Sequence, residues 1–444
     1  MARARGRFLL FLTPVSAVAV VLLGVVSGGV RPYRSARVYS GPTEGITNLS
    51  LRVELGDRDR VVEVPAASVP FVVTALDGGQ PVASARGRSD SSGSAEVSLR
   101  LPRARNSALE LWVEPVGHDL PALARGLVLG SGAAFRRGAT RRGGFQRGRS
   151  TGDIELAVAP AHGVLITAQG ALEDELVIRA RRGDAPVAAA PVTAKLEGAE
   201  PAEAHVVTDA RGLARLRLRP SEPVVRVALS VSAEGAVGTL ASRIEVVQGA
   251  IRALKQGDRL RLESSGAATT AHLGFFDENQ RYGGARAELT TSPDGRLVGE
   301  LPWPPGLVAA PLWVVASSQP DLASPSAVGW PAVGFAEPDP QTFDARELLL
   351  LDGAPAARTR EERRAQRIRW VTAAYAAVAL LATLVLFVRR VREADARIEE
   401  HLAEAGVDDA AHAIAPVRKA RAVLAAACIG LGFVVLCVFA LLKD

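Results

Sequence analysis

The sequence predicts a mainly β ectodomain of three tandem β-sandwiches, held by transmembrane α-helices that form an N-terminal span and a C-terminal helical hairpin. Three observations lead there. Two apolar runs, residues 370–388 and 420–442, close the chain, and a helix of about 20 such residues crosses a hydrocarbon core of about 30 Å. Between residues 31 and 346 short alternating segments follow one another, broken by turn residues, with no convincing helical period. One turn-and-strand pattern also recurs three times in that stretch, the mark of a repeated unit.

Length and composition set the frame. A chain of 444 residues is too long for one core and suggests two to four domains. Only four lysines, Lys195, Lys255, Lys419 and Lys443, stand against a large excess of arginine. This is the bias of a GC-rich bacterial genome, so the basic charge is no argument for nucleic acid, which is not an expected partner. Both cysteines, Cys428 and Cys437, lie in the last apolar run. At that helical spacing they cannot bridge each other, and the preceding domains have no thiol for a disulfide or a metal site.

Residues 1–7 carry three arginines ahead of an apolar run, residues 8–30. The run fits a signal peptide, with Ser27-Gly28-Gly29 as its cleavage site, or an uncleaved anchor; its length favours the anchor. Arg389, Arg390 and Arg392 close the first arm of the hairpin, and Arg418, Lys419 and Arg421 open the second. The positive-inside rule therefore places the short loop, residues 389–419, in the cytoplasm and the β region outside. The cluster from Arg358 to Arg369 points the other way, but long translocated domains largely escape the rule.

Residues 31–43 read as a tether. The repeat follows. Ser89-Asp90-Ser91-Ser92-Gly93 precedes Ala95, Val97, Leu99 and Leu101, and Thr208-Asp209-Ala210-Arg211-Gly212 precedes Ala214, Leu216 and Leu218. A weaker copy, Thr291-Ser292-Pro293-Asp294-Gly295, precedes Leu297 and Leu301. In each, Asp90, Asp209 or Ser292 can accept a backbone N–H two or three residues on, and Gly93, Gly212 or Gly295 can take the positive φ of a tight turn. Alternation beyond the turn sends one face to a core and leaves the arginines in water. A further strand arrives about twenty residues later in all three, which sets sandwiches at 44–120, 153–248 and 250–336.

The run Gly183-Asp184-Ala185-Pro186-Val187, with Ala190-Pro191-Val192-Thr193-Ala194 and Val207-Thr208-Asp209-Ala210-Arg211-Gly212, resembles bacterial Ig-like, macroglobulin-type and carboxypeptidase-regulatory-like domains. The resemblance implies a sandwich and hardly constrains function. The cysteine-containing thioester motif of macroglobulin protease traps is absent, which excludes trapping by that chemistry.

Residues 121–152 form a Gly/Arg-rich stretch, expected as a linker, whose Arg136, Arg137, Arg141, Arg142, Arg147 and Arg149 could grip an anionic lipid or partner. Residues 337–369 read as a proline-punctuated stalk ending in a basic segment, where Arg363, Arg364 and Arg367 could meet lipid headgroups. Beyond residue 388 the apolar positions Val391, Ala394, Ile398, Leu402 and Ala405 continue a helix as a cytoplasmic finger. Ala422, Ala426 and Gly430 in the last span, and Ala373 and Ala377 in the one before, have the spacing that lets helices approach closely.

No His-x-x-x-His or phosphate-loop motif occurs. The expectation is therefore a non-enzymatic protein of the bacterial inner membrane, without cofactor or metal, that presents periplasmic sandwiches to membrane lipid and an envelope protein. Two alternatives stand beside it: a transmembrane relay through the finger, and a macroglobulin-related protease inhibitor without a thioester.

Overall fold

The computed structural model describes all residues except 1, 28, 42–46, 60–61, 103–108, 118–120, 129–134, 143, 147–148, 167–171, 265, 278–279, 294, 309–310, 321, 323, 325, 335–341, 405–419, 436–437 and 439–444, and, for side chains, also excepting 2–13, 25, 128, 135–142, 149–150, 342–346 and 402–403. The chain divides into two compact units. One, residues 34–57 and 63–354, is all β. The other spans residues 1–33, 58–62 and 355–444, and its long described elements are helices.

The β unit holds three two-sheet sandwiches. The first comprises β1 (Tyr33–Ser40), β2 (Asn48–Arg58), β3 (Glu63–Pro65), β4 (Pro70–Asp77), β5 (Gln80–Arg88), β6 (Ser94–Arg100), β7 (Leu109–Pro115), β8 (Ala124–Val128) and β9 (Phe135–Arg142). The second comprises β10 (Arg149–Gly152), β11 (Glu155–Pro160), β12 (Leu165–Ile166), β13 (Asp174–Arg182), β14 (Ala185–Pro186), β15 (Pro191–Glu197), β16 (Ala199–Glu200), β17 (Glu203–Val207), β18 (Leu213–Pro220), β19 (Val224–Ala233) and β20 (Ala236–Val247). The third comprises β21 (Ile251–Gln256), β22 (Arg259–Ser264), β23 (Thr270–Phe276), β24 (Arg281–Glu288), β25 (Thr290–Thr291), β26 (Leu297–Pro302), β27 (Leu312–Ser317) and β28 (Val328–Val333). The chain then returns to the first sandwich as β29 (Thr342–Asp352).

Alternation along β18 shows why these residues make strands. Ala214, Leu216 and Leu218 are buried while Arg215, Arg217 and Arg219 between them are exposed, so each step of the pleat turns one side chain to each face. Leu216 packs among Leu176, Ile178, Val227 and Leu240 in the core of the second sandwich. The third core, around Phe275, Val314 and Trp330, also takes in Val164, Ile166 and Leu172 from the second. The two sandwiches thus share apolar contact.

Three segments expected as connectors are strands. The tether, residues 31–43, contains β1; the linker, residues 121–152, contains β8, β9 and β10; and the stalk, residues 337–369, contains β29 and the start of a long helix. One sheet of the first sandwich runs β3-β2-β1-β29-β9, with β6 also on β2, and the other runs β5-β4-β7-β8. Arg37 of β1 faces Asp352 of β29, and Thr342 of β29 faces Arg142 of β9. The first sandwich is therefore discontinuous in sequence, completed by a strand from beyond the third.

In the helical unit, α1 (Ala2–Ser27) and α2 (Ala354–Glu404) are joined by a shorter apolar helix, α3 (Ala420–Val435). The Asp352 carboxylate accepts the Ala354 N–H at 2.9 Å, and Pro355 sits in the first turn, where it lacks no needed donor. Residues 354–401 of α2 are long and apolar enough to cross a membrane. Ala17 of α1, Ala379 of α2 and Phe433 of α3 are buried together. A Cβ on Gly24 would collide with Thr372, so α1 and α2 meet at a contact only glycine permits. On α2 the buried face is Thr372, Ala373, Ala376, Ala379 and Thr383, whereas Ala377, expected to pack with Ala373, is exposed. The Thr372 and Thr383 hydroxyls donate to carbonyls four residues back, which satisfies them within the helix.

Candidate functional site

On β2, Ser50, Arg52 and Glu54 occupy the alternate positions that a half-buried strand gives to water. Ser50 and Arg52 are instead buried, because the third sandwich covers them. Arg281, which opens β24, is 2% exposed and reaches into the first sandwich. Its Nη1 and Nη2 donate to the two Glu96 oxygens at 2.8 and 2.6 Å, and Nη1 also donates to Ser50 Oγ at 3.0 Å. Such a two-pronged guanidinium–carboxylate pair fixes orientation as well as charge. Glycine makes the approach close: a Cβ on Gly41 would sit 2.5 Å from the Arg281 backbone N, and one on Gly284 would collide with Glu96.

Arg52 Nη2 lies 2.9 Å from Glu347 on β29 and 3.3 Å from Glu54, and its guanidinium stacks 4.5 Å over the Tyr39 ring. Burial pushes the Glu347 carboxyl up to about 7, against the downward pull of Arg52 and Arg281. Burial likewise holds the His272 imidazole down at about 4, so it is neutral. A buried network of this kind fixes relative geometry more than it adds stability. A second buried pair, Arg252 with Asp174 at 3.1 Å, ties the third sandwich to the second.

Beside the network lies a cleft of about 310 Å³ lined by Arg52, Arg88, Arg281 and Arg286, with Asp90, Glu96, Ser94 and His272. Arg286 pairs with Asp90 at 3.2 Å and with Glu288 at 2.7 Å. Among the described residues, five side-chain donors around this cleft are buried without a hydrogen-bond partner, Nε and Nη1 of Arg52, Nε of Arg281, Nε of Arg286 and Oγ of Ser94, as is one acceptor, Oε1 of Glu347, 4.0 Å from Arg281 Nε.

The turn residues lie where the chain reverses into β6, β18 and β26. Asp90 accepts N–H groups from Ser92 and Ser94, and Asp209 from Arg211 and Leu213, two and four residues on. These bonds hold the Asp209 carboxyl below its usual range, the Leu213 N–H first among them; at Asp90 they outweigh the opposing effect of burial. Ser292 differs, since its hydroxyl donates to the Arg296 carbonyl. Gly93, Gly212 and Gly295 have φ of 77°, 72° and 80°. Ser89 and Thr208, each one residue before the Asp, are hydroxyl clamps: Ser89 Oγ bonds Val69 N and Ala66 O, and Thr208 Oγ1 bonds Ala190 N and Val187 O. The recurring Ser/Thr was the available signal for them.

Arg136, Arg137, Arg141 and Arg142 fall on β9, at the edge of its sheet, and Arg149 on β10; their side chains, and all of Arg147, lie outside the described residues. Arg363 and Arg367 are exposed on α2, and Arg364 pairs with Glu361 at 2.7 Å. Ala422, Ala426 and Gly430 share the half-buried face of α3. Leu402 lies on α2 with its side chain outside the described residues, as does all of Ala405.

Fold and cleft together define the class: a tandem β-sandwich protein joined to a packed apolar helical unit. No protein-family model matches the sequence, and no curated protein matches it. Among solved structures it is similar to the D0-D1 domain of intimin, at 18% identity over 48% of this chain and 97% of that one, with a TM-score of 0.15. Invasin, a bacterial integrin-binding protein, aligns at 13% identity over 68% of this chain and 60% of its own, with a TM-score of 0.18. Trypsin-activated α2-macroglobulin from Escherichia coli aligns at 12% identity over 71% of this chain and 24% of its own, with a TM-score of 0.17. The chain spans less than two thirds of the invasin and macroglobulin structures.

Proposed function

We propose that this is a non-enzymatic protein of the bacterial inner membrane that holds its three sandwiches in the periplasm to contact an envelope protein. One observation carries the reading. The chain leaves α1 into β1 and enters α2 from β29, and β1 and β29 are paired neighbours in one sheet. A β unit connected to apolar helices through adjacent strands is suited to presenting its sheet edges and loops as a contact surface. The Gly24–Thr372 contact supports a retained α1, since a cleaved segment has no need of a fitted helix partner.

Protease added to intact spheroplasts should digest the β unit, and inverted vesicles should protect it; the reverse pattern rules the reading out. Crosslinking in whole cells followed by mass spectrometry should then recover an envelope protein joined to β-unit residues. Retention of α1 is checked by the intact mass of the purified chain.

The relay reading has one observation in its favour. Among the described residues α2 runs unbroken from Ala354 to Glu404, so the apolar span and the charged finger are one rod. Charge substitution at Ile398 should then alter a cellular response without altering the amount of protein; an unchanged response removes the reading.

A further inference from the structure

We propose that the face of α2 carrying Arg363, Arg367 and Trp370 binds an anionic phospholipid, the two guanidinium groups holding its phosphate, an assignment that rests on the membrane reading above. Residues 358–369 carry six arginines and two glutamates. Both carboxylates are engaged, Glu362 by Arg358 and Glu361 by Arg364, each at 2.7 Å. Arg363 and Arg367 are exposed, and among the described residues the side chain of neither makes an ion pair or a hydrogen bond. Four residues apart, they stand together on one side of the helix.

Beyond them that side is apolar. Steps of three and four residues lead from Arg367 to Trp370, Ala374, Val378, Leu381 and Val385, all exposed, with Trp370 at 60% and Val378 at 67%. At the helical period this face lies opposite Thr372, Ala376, Ala379 and Thr383, which are buried. At 1.5 Å per residue Arg367 and Arg363 sit about 4.5 and about 10 Å before Trp370, within reach of a headgroup layer for side chains of their length. The run from Trp370 to Val388 then covers about 27 Å, close to one hydrocarbon core. Guanidinium, indole and aliphatic side chains thus follow the order of phosphate, carbonyl and acyl chain in a lipid. A planar guanidinium takes phosphate oxygens in pairs. A second copy of α2 does not fit this face, because it would set like charges side by side. The arginines that run against the positive-inside rule thereby gain a use on the outer side.

The test is tryptophan quenching by brominated lipid. Full-length protein is reconstituted into phosphatidylcholine vesicles holding the same small fraction of dibrominated phosphatidylglycerol or dibrominated phosphatidylcholine. Trp370 is the reporter, because the other four tryptophans belong to the β unit, and Trp370→Phe should remove the response. Phosphatidylglycerol should bind this face about tenfold more tightly than phosphatidylcholine, and high salt should reduce the preference. Arg363→Gln combined with Arg367→Gln should bring the ratio below about twofold. Arg389→Gln combined with Arg392→Gln, which removes the same charge at the other end of the span, should leave it unchanged, and excess free glycerol phosphate should not displace the lipid. Equal quenching by the two lipids, a ratio unmoved by the Arg363 and Arg367 pair or equally lost with the Arg389 and Arg392 pair, or displacement by glycerol phosphate overturns the proposal and leaves the membrane reading standing. No Trp370-dependent quenching by either lipid overturns both.

Discussion

At the scale of single residues, the turn glycines are not equivalent. A Cβ on Gly212 would lie 2.5 Å from the Ala180 carbonyl oxygen, and one on Gly93 2.5 Å from that of Leu55, whereas Gly295 has open space around it. All three hold positive φ, which a β-branched residue adopts only under strain. Gly212→Val should therefore destabilise the second sandwich by about 3 kcal/mol and Gly295→Val the third by about 1. Thermal melts of the two variants check the difference. Leu216→Asp should unfold the second sandwich, because a lone carboxylate in that core has no partner. Glu347 supplies a pH dependence. Its folded carboxyl titrates near 7, above the usual 4.5, so across that window the folded chain keeps a proton that the unfolded chain has lost. Stability from this group is present at low pH and falls as pH rises to 7, by on the order of 2 kcal/mol. Denaturant melts at pH 5 and 8 should show that fall in the parent and lose it in Glu347→Gln.

Among elements, the sequence was readable where apolar and polar residues alternate. The Asp-x-x-Gly turns and the strands after them stand out because one core face and one wet face leave a period of two. The strands that complete the first sandwich carry other patterns. In β1 the buried positions include Ser35 and Ser40, which composition assigns to a loop. β9 is arginine-rich, yet an edge strand needs only its backbone ladder, and charge there guards against stray pairing. The quartet Leu348–Leu351 of β29 reads equally as strand or helix. Alternation alone would turn Ser50 and Arg52 to water, yet both are buried, and no local pattern announces a cover from over two hundred residues away. The candidate cleft was for that reason invisible in the sequence. Gly353, just after β29, tests the strand's placement. A Cβ there would collide with the Leu123 carbonyl, so Gly353→Ala should lower the melting temperature of the first sandwich by several degrees, roughly 1–3 kcal/mol.

For the whole molecule, the register between β9 and β29 sets a further expectation. Arg142 and Thr342 face each other across antiparallel strands, and such partners lie about 5 Å apart. A two-residue Asn-Gly turn can span that gap. Joining Arg142 to Thr342 in this way should leave a folded first sandwich, verified by a cooperative melt of the shortened protein, while a fragment ending at residue 142 should not fold because it lacks β29. The first sandwich is thus a host, and the second and third are a guest spliced between two of its strands. Lineages could lengthen, swap or discard the guest without disturbing how the host is moored, since both mooring lines belong to the host alone.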